Sequence, residues 1–458
     1  MKKILLMVVC VFSYTAQAQF GPKQMVSEIG GAEVYTFDLD GDDDLDILIA
    51  SGHHVSWFEN LDGLGDFGTE QLIANLEGRI STYAGDIDGD GDIDVIATES
   101  IWSKPLDLSK LVWYENLDGQ GSFSTEQLIE DYASFIIARS VYVTDLDGDE
   151  DNDILTGSHG DLFWYQNLDG LGSFGEMQII TTDVAIVKAV YADDIDGDGD
   201  MDVLASSIQD EKLTWYENTD GISNFGQQQI IAENIGEAWS IYISDLNGDG
   251  HKDVLAAYWE TGNIVWFENT DGQGSFGEQQ ILSNNILGGS KVYAEDLDGD
   301  GDMDVLSANY DPPQGTLGTL AWYENMDGQG GFSDQQIIHQ ESRFGTLYAG
   351  DIDNDNDIDV IGGSGSVGIV WFENLQELST EENDVMKIVL HPNPTQDFLQ
   401  IENGQNIISL SIYDVSGRLL LQENQNFNNI DVSYLDRGLL FVNINSMDGI
   451  FTYKIVKK

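Results

Sequence analysis

The sequence predicts an all-β fold: a seven-bladed β-propeller closed by its N-terminal strand and followed by a small C-terminal β-sandwich. Three observations predict it. A nine-residue acidic loop returns seven times, its copies beginning at Asp38, Asp86, Asp145, Asp194, Asp245, Asp296 and Asp351, roughly 50 residues apart, and a fixed period of that size marks an array of one supersecondary unit. Each copy carries four short apolar runs bounded by turn residues. The seventh copy lacks its fourth run, and a matching segment stands at the other end of the chain.

Strand a ends in a tyrosine three residues before each loop, at Tyr35, Tyr83, Tyr142, Tyr191, Tyr242, Tyr293 and Tyr348. Strand b follows the loop as a short, often β-branched run such as Val95-Ile96-Ala97, too short for a helix. Strand c carries Trp-(Phe/Tyr)-(Glu/Gln)-Asn at Trp57, Trp113, Trp164, Trp215, Trp266, Trp322 and Trp371. In the first six copies an Asp-Gly turn leads to strand d, with a Phe ten residues after the Trp and a Gln four further on. The seventh copy stops at Asn374, but Phe20 to Ser27 matches Phe276 to Ser283 with Phe and Gln in register. A propeller closed by this strand leaves the array no open end. The recurring aromatics are expected to fill the wedges between blades.

Residues 1–18 read as a secretory signal: Lys2 and Lys3, an apolar run from Ile4 to Phe12, and Ala16-Gln17-Ala18 as a cleavage site. The propeller is expected over 19–375, a polar linker over 376–384 and a second β module over 385–458. Cys10 is the sole cysteine, so its removal with the signal would leave no disulfides. No later apolar run is long enough to span a membrane. The formal charge of −64 argues against nucleic acid as a partner, since phosphates need a basic surface. The acidity is concentrated: 35 of the 82 acidic residues lie in the seven loops.

In the spacing Asp-x-Asp-x-Asp-x-x-x-Asp, side chains at positions 1, 3, 5 and 9 and a carbonyl at position 7 can converge as an all-oxygen cage, which suits Ca²⁺ better than Mg²⁺ or the thiolate and imidazole metals. Without a cation, two carboxylates about 4 Å apart repel by roughly 4 kcal/mol at an effective dielectric of ~20. Up to seven Ca²⁺ ions are expected. Their ligands would be Asp38, Asp40, Asp42 and Asp46; Asp86, Asp88, Asp90 and Asp94; Asp145, Asp147, Asp149 and Asp153; Asp194, Asp196, Asp198 and Asp202; Asp245, Asn247, Asp249 and Asp253; Asp296, Asp298, Asp300 and Asp304; and Asp351, Asp353, Asp355 and Asp359. Position 6 calls for a left-handed residue, easy for Gly91, Gly199, Gly250 and Gly301 and costlier for Asp43 and Glu150. The fifth loop has Asn247, His251 and Lys252, hence less charge.

These repeats resemble the FG-GAP/VCBS family of integrin-α-like and bacterial exported propellers. Phe67-Gly68, Phe174-Gly175, Phe225-Gly226 and Phe276-Gly277 supply the Phe-Gly of that name; the Gly-Ala-Pro half is absent. The resemblance implies calcium at the loops and no single activity. The C-terminal module is similar to the sorting domain of the type IX secretion system, through Pro392-Asn393-Pro394-Thr395, Ile412 to Arg418, and the basic end at Lys454 to Lys458. That resemblance implies handling by the type IX machinery of a Gram-negative bacterium and a secreted or outer-membrane-surface destination.

In an up-and-down blade the a–b and c–d turns share one face, leaving the b–c and d–a loops on the other, variable face. Trp102, Trp239 and Trp259, the tryptophans outside strand c, fall there, with Tyr310. Arg139, Lys188 and Arg343 lie within five residues before a strand-a tyrosine, as do Arg79 and Lys291, and should ring the channel mouth. Cations beside aromatics suit an anionic sugar. The expected function is therefore an exported glycan-binding or adhesion module, acting as a monomer, with Trp102, Arg139, Lys188, Trp239, Trp259 and Arg343 in the ligand site. A polysaccharide lyase would instead need a base and a neutralising cation from among His53, His159, His339, Tyr310, Arg139 and Arg343. A protein-binding, integrin-like scaffold is the third alternative.

Overall fold

The computed structural model describes residues 19–31, 33–101, 108–133, 138–284, 288–310, 317–341, 343–375 except 365–366, 389–391, 395, 398–402, 407–414, 418–423, 427, 430–435, 437–446 and 449–458. Among these, every regular element is a β-strand. The chain divides into two compact units, 1–378 and 379–458.

The first unit consists of four-stranded antiparallel sheets, seven among the described residues. The first runs Glu33–Phe37, Asp46–Ser51, His54–Phe58 and Gln71–Asn75 in spatial as well as chain order. Strand-b residues are buried throughout, so these strands read as unbroken apolar runs, whereas strand d keeps one exposed face. One register recurs in every sheet: the strand-a tyrosine pairs with a Leu or Ile, that residue with the strand-c tryptophan, and the tryptophan with the strand-d glutamine. In the first sheet the row is Tyr35, Leu48, Trp57 and Gln71. In the seventh it is Tyr348, Ile361, Trp371 and Gln24. The glutamine there comes from Gln24–Ser27, which pairs antiparallel with Gly368–Phe372. A Phe20–Asn374 bridge repeats the Phe–Asn bridge of the other six sheets.

The first strands of successive sheets contact one another, and the first strand of the first sheet also contacts that of the seventh, Thr346–Gly350. This is the arrangement of a β-propeller. The tyrosines do not fill wedges between blades as expected. They form a ring: consecutive rings lie 4.5–5.3 Å apart from Tyr35 round to Tyr348, and Tyr348 returns to Tyr35 at 5.5 Å. The tryptophans do take the wedges. A side chain at Gly121 would strike Trp57, and one at Gly65 would strike Trp371, because these indoles, like Trp113, Trp215 and Trp266, pack on the c–d turn of the next sheet.

In the second unit, Val389–His391, Phe398–Glu402 and Ile430–Asp431 form a three-stranded sheet, and Leu419–Glu423, Ile407–Asp414, Gly438–Ser446 and Gly449–Lys457 a four-stranded one. Leu399, Leu410, Ile412, Val432, Val442 and Ile444 are among its core residues. The short strand at Ile430 carries no alternating pattern of its own, and the sequence reading passes over it.

Candidate metal loops and a central cavity

The seven acidic loops share one hydrogen-bond plan. The position-1 aspartate accepts the position-6 N–H on Oδ2 in all seven, at 2.8–3.1 Å. That bond holds position 6 left-handed whatever its side chain, with Asp43 at φ 70°, Glu150 at 75° and Gly91 at 95°. The position-9 aspartate is buried, and its Oδ2 accepts the position-2 N–H at 2.9–3.1 Å. Its Oδ1 accepts the backbone N–H of the strand-c asparagine at 2.7–2.8 Å.

The same asparagine links neighbouring sheets. Its side-chain Nδ2 donates to the position-2 carbonyl of the preceding loop at 2.7–3.0 Å, as Asn116 does to Leu39 and Asn374 to Leu297. Asn60 of the first sheet reaches Ile352 of the seventh at 2.8 Å. Every acidic loop is thus tied to both neighbours. The asparagine stood in the recurring Trp-x-x-Asn, but its partner lies 72–80 residues away in six sheets and 292 away in the first, so no spacing rule reveals it.

Carboxylate oxygens converge within 4.8 Å in Asp38/Asp40/Asp42, Asp86/Asp88/Asp94, Asp145/Asp147/Asp153, Asp194/Asp196/Asp202 and Asp296/Asp298/Asp300. Oδ1 of Asp40, Asp88, Asp147 and Asp353 is buried without a hydrogen-bond partner, a costly state unless a cation takes the lone pairs. Burial first, then the adjoining carboxylates, pushes these position-3 groups up to about 6. At position 9 burial outweighs the two N–H bonds, lifting Asp46 and Asp94 to about 7 and Asp153 and Asp359 to about 8. Hard oxygens with unmet acceptor capacity fit Ca²⁺. In the fifth loop Asn247 Nδ2 donates to Asp249 at 3.2 Å, so the amide is partly turned from such a role.

At the centre of the sheets lies a cavity of about 550 Å³, lined by all seven ring tyrosines and by Glu33, Arg139, Lys188, Trp239, Lys291 and Tyr310, among others. Glu33 accepts from Thr82 N at 2.9 Å and Ser81 Oγ at 3.2 Å. Burial raises its carboxyl above the ordinary range against the pull of those bonds and of Lys291 and Lys188, and burial lowers Lys291 against the pull of Glu33.

Beside the cavity runs a stack of alternating character. Lys188 Nζ lies 4.9 Å from the Trp239 ring centre. Trp239 and Trp259 stack at 4.1 Å, and Trp259 meets Tyr310 at 6.1 Å. The Arg343 guanidinium sits 5.4 Å from the Tyr310 ring. The fold therefore gathers Lys188, Trp239, Trp259 and Arg343 into one ladder. Trp259 stacks on one face of Trp239, so that face is closed to a ligand, and Lys188 also lies over the indole. Trp102 lies outside the described residues. None of the three candidate histidines lines the cavity: His339 packs on Phe344 and Phe372, the His159 carbonyl accepts Ile186 N, and the His53 carbonyl accepts Leu76 N in its hairpin.

Segments 38–97, 145–205, 194–256, 245–307 and 296–362 match the FG-GAP-like repeat family. Residues 389–458 match the secretion system C-terminal sorting domain. No curated protein matches the chain. Among solved structures it is similar to a lectin of Agrocybe aegerita that specifically recognises non-reducing terminal N-acetylglucosamine, at 17% identity and TM-score 0.50, over 73% of this chain and 85% of that one. At that identity the likeness is one of fold.

Proposed function

Because the chain belongs to the FG-GAP-like repeat family and ends in a secretion system C-terminal sorting domain, we propose that it is an exported calcium-binding module that recognises acidic glycans at the cell surface or in the medium. The sorting domain indicates delivery by the type IX secretion machinery to one of those destinations. In this reading residues 1–18 are a signal peptide, 19–375 a monomeric seven-bladed propeller closed by Gln24–Ser27, 376–384 a linker and 385–458 the sorting domain. Ca²⁺ neutralises the clustered carboxylates at positions 1, 3, 5 and 9 of the loops. The asparagine ties then hold the loop face as one rigid annulus, which fixes the strands that carry the cavity on the opposite side.

One observation carries the glycan reading. The propeller has ten Lys and Arg residues in a chain of formal charge −64, and Arg139, Lys188 and Lys291 of those ten line a single cavity. Charge for a carboxylate, hydroxyls from Ser81, Ser140 and Ser240, and aromatic rings for a pyranose are the fittings an acidic sugar needs. The lectin fold neighbour adds support, since it binds a sugar. A panel of immobilised acidic and neutral polysaccharides tests the reading, scored in calcium for retention and for new unsaturated ends. Retention on acidic members without new ends is expected; no retention on any member refutes it, and new unsaturated ends move it to a lyase.

A further inference from the structure

The tyrosine ring sets which part of a glycan the cavity can take. The seven rings touch one another all the way round, at centroid distances of 4.5–5.5 Å. The cavity lining includes these tyrosines and the residues before them on the first strands, and no first-strand residue beyond them. The cavity therefore ends at the ring. The ring is also braced, because each phenol rests on two others. A polysaccharide cannot thread this channel.

Above that floor the wall is built from the residues two and three places before the tyrosines. Lys291 lies 5.6 Å from the Tyr35 ring, and both it and Lys188 are drawn electrostatically to Glu33. The charged residues of the lining are three cations, Arg139, Lys188 and Lys291, against one carboxylate, Glu33, a formal net charge of +2, with Arg139 and Lys188 on adjacent sheets. The volume of about 550 Å³ falls within the roughly 300–1,000 Å³ of small-ligand pockets, room for one or two sugar residues and not for a polymer segment.

We infer that the cavity is a blind, end-on pocket for the carboxylate-bearing terminal residue of a glycan chain, floored by the tyrosine ring and gripped by Arg139 and Lys188. The inference rests on the glycan reading above and adds the requirement for a chain end. An interior segment would have to bend double to reach the floor; a terminus enters straight.

The test uses the full-length protein in calcium and a uronate polymer, polygalacturonate, alongside hyaluronan and alginate from the panel. For each polymer retained, competition by the intact chain is compared with competition by its short-oligosaccharide hydrolysate at equal uronate mass. An end-on pocket makes potency follow the number of ends, so hydrolysis that raises ends tenfold should improve competition about tenfold. Competition that is equal or weaker after hydrolysis overturns the inference while leaving glycan binding intact. Retention of none of the acidic polymers removes the glycan reading, and the inference with it. R139Q and K188Q should each reduce oligosaccharide affinity at least tenfold at unchanged thermal midpoint; unchanged affinity in both places the end elsewhere and overturns the assignment.

Discussion

Replacing Asn116 with Ala removes one tie between neighbouring acidic loops, and the structure fixes what is lost. The side chain is 1% exposed. Its Nδ2 donates to Leu39 O at 2.9 Å and more weakly to Ile93 O at 3.4 Å, and its Oδ1 accepts Gly121 N at 3.2 Å. Truncation strands a buried carbonyl of the preceding sheet and a partly buried N–H of its own turn. At about 1–3 kcal/mol for each buried group left unpaired, and with the 3.4 Å contact counted as nothing, the loss should be about 3 kcal/mol. Urea unfolding in saturating calcium measures it, with an unchanged m-value showing that the unfolded ensemble is the same. A loss below about 0.5 kcal/mol, the size of an ordinary surface substitution, would refute the latch.

Three further outcomes follow from the same geometry. In chelator, stability should fall as pH rises from about 4 to 8. The position-9 carboxyls titrate near 7 when folded against about 3.9 when unfolded, so the folded state binds more protons throughout that window and each ionisation costs stability. Thermal midpoints across the range check this, and a flat or rising profile contradicts it; excess calcium should remove the decline and raise every midpoint above the chelator value. D43G and E150G relieve left-handed strain at φ 70° and 75° and should each stabilise by about 1 kcal/mol, read by urea unfolding, with no gain if the position-6 bond already absorbs the strain. W239A should weaken acidic-glycan binding and also flatten its salt dependence, because it releases Lys188 from the ring that holds it; a weakening with the salt slope intact would mean that the indole itself stacks on the sugar.

Much of the fold was legible because a strand's hydrogen-bond register repeats. Tyr, Trp and Gln at constant spacing became one row across every sheet, and the stray Phe20 to Ser27 supplied the seventh row. The acidic loops were legible for the same reason, since the carboxylates and the N–H groups they accept within each loop lie within nine residues. What the sequence could not show depends on neighbours between sheets. Whether Tyr83 meets a wedge or another tyrosine depends on how tightly the sheets converge, and no spacing along the chain encodes that. The asparagine latch crosses sheets at a distance of 72–80 residues, or of 292 where Asn60 reaches Ile352. The covering of Trp239 by Lys188 and Trp259 likewise joins two sheets, so a residue that looked like an exposed platform is the middle of a stack.

The most direct measurement is a calorimetric titration of the wild-type protein and of the R139A/K188A double variant with an acidic oligosaccharide retained in the panel, in calcium and at two salt concentrations. The cavity account predicts wild-type binding that weakens with salt, at least tenfold weaker binding in the double variant with a flattened salt slope, and wild-type binding in a variant of the opposite face, D92N. Equal binding by the double variant and the wild type would contradict it.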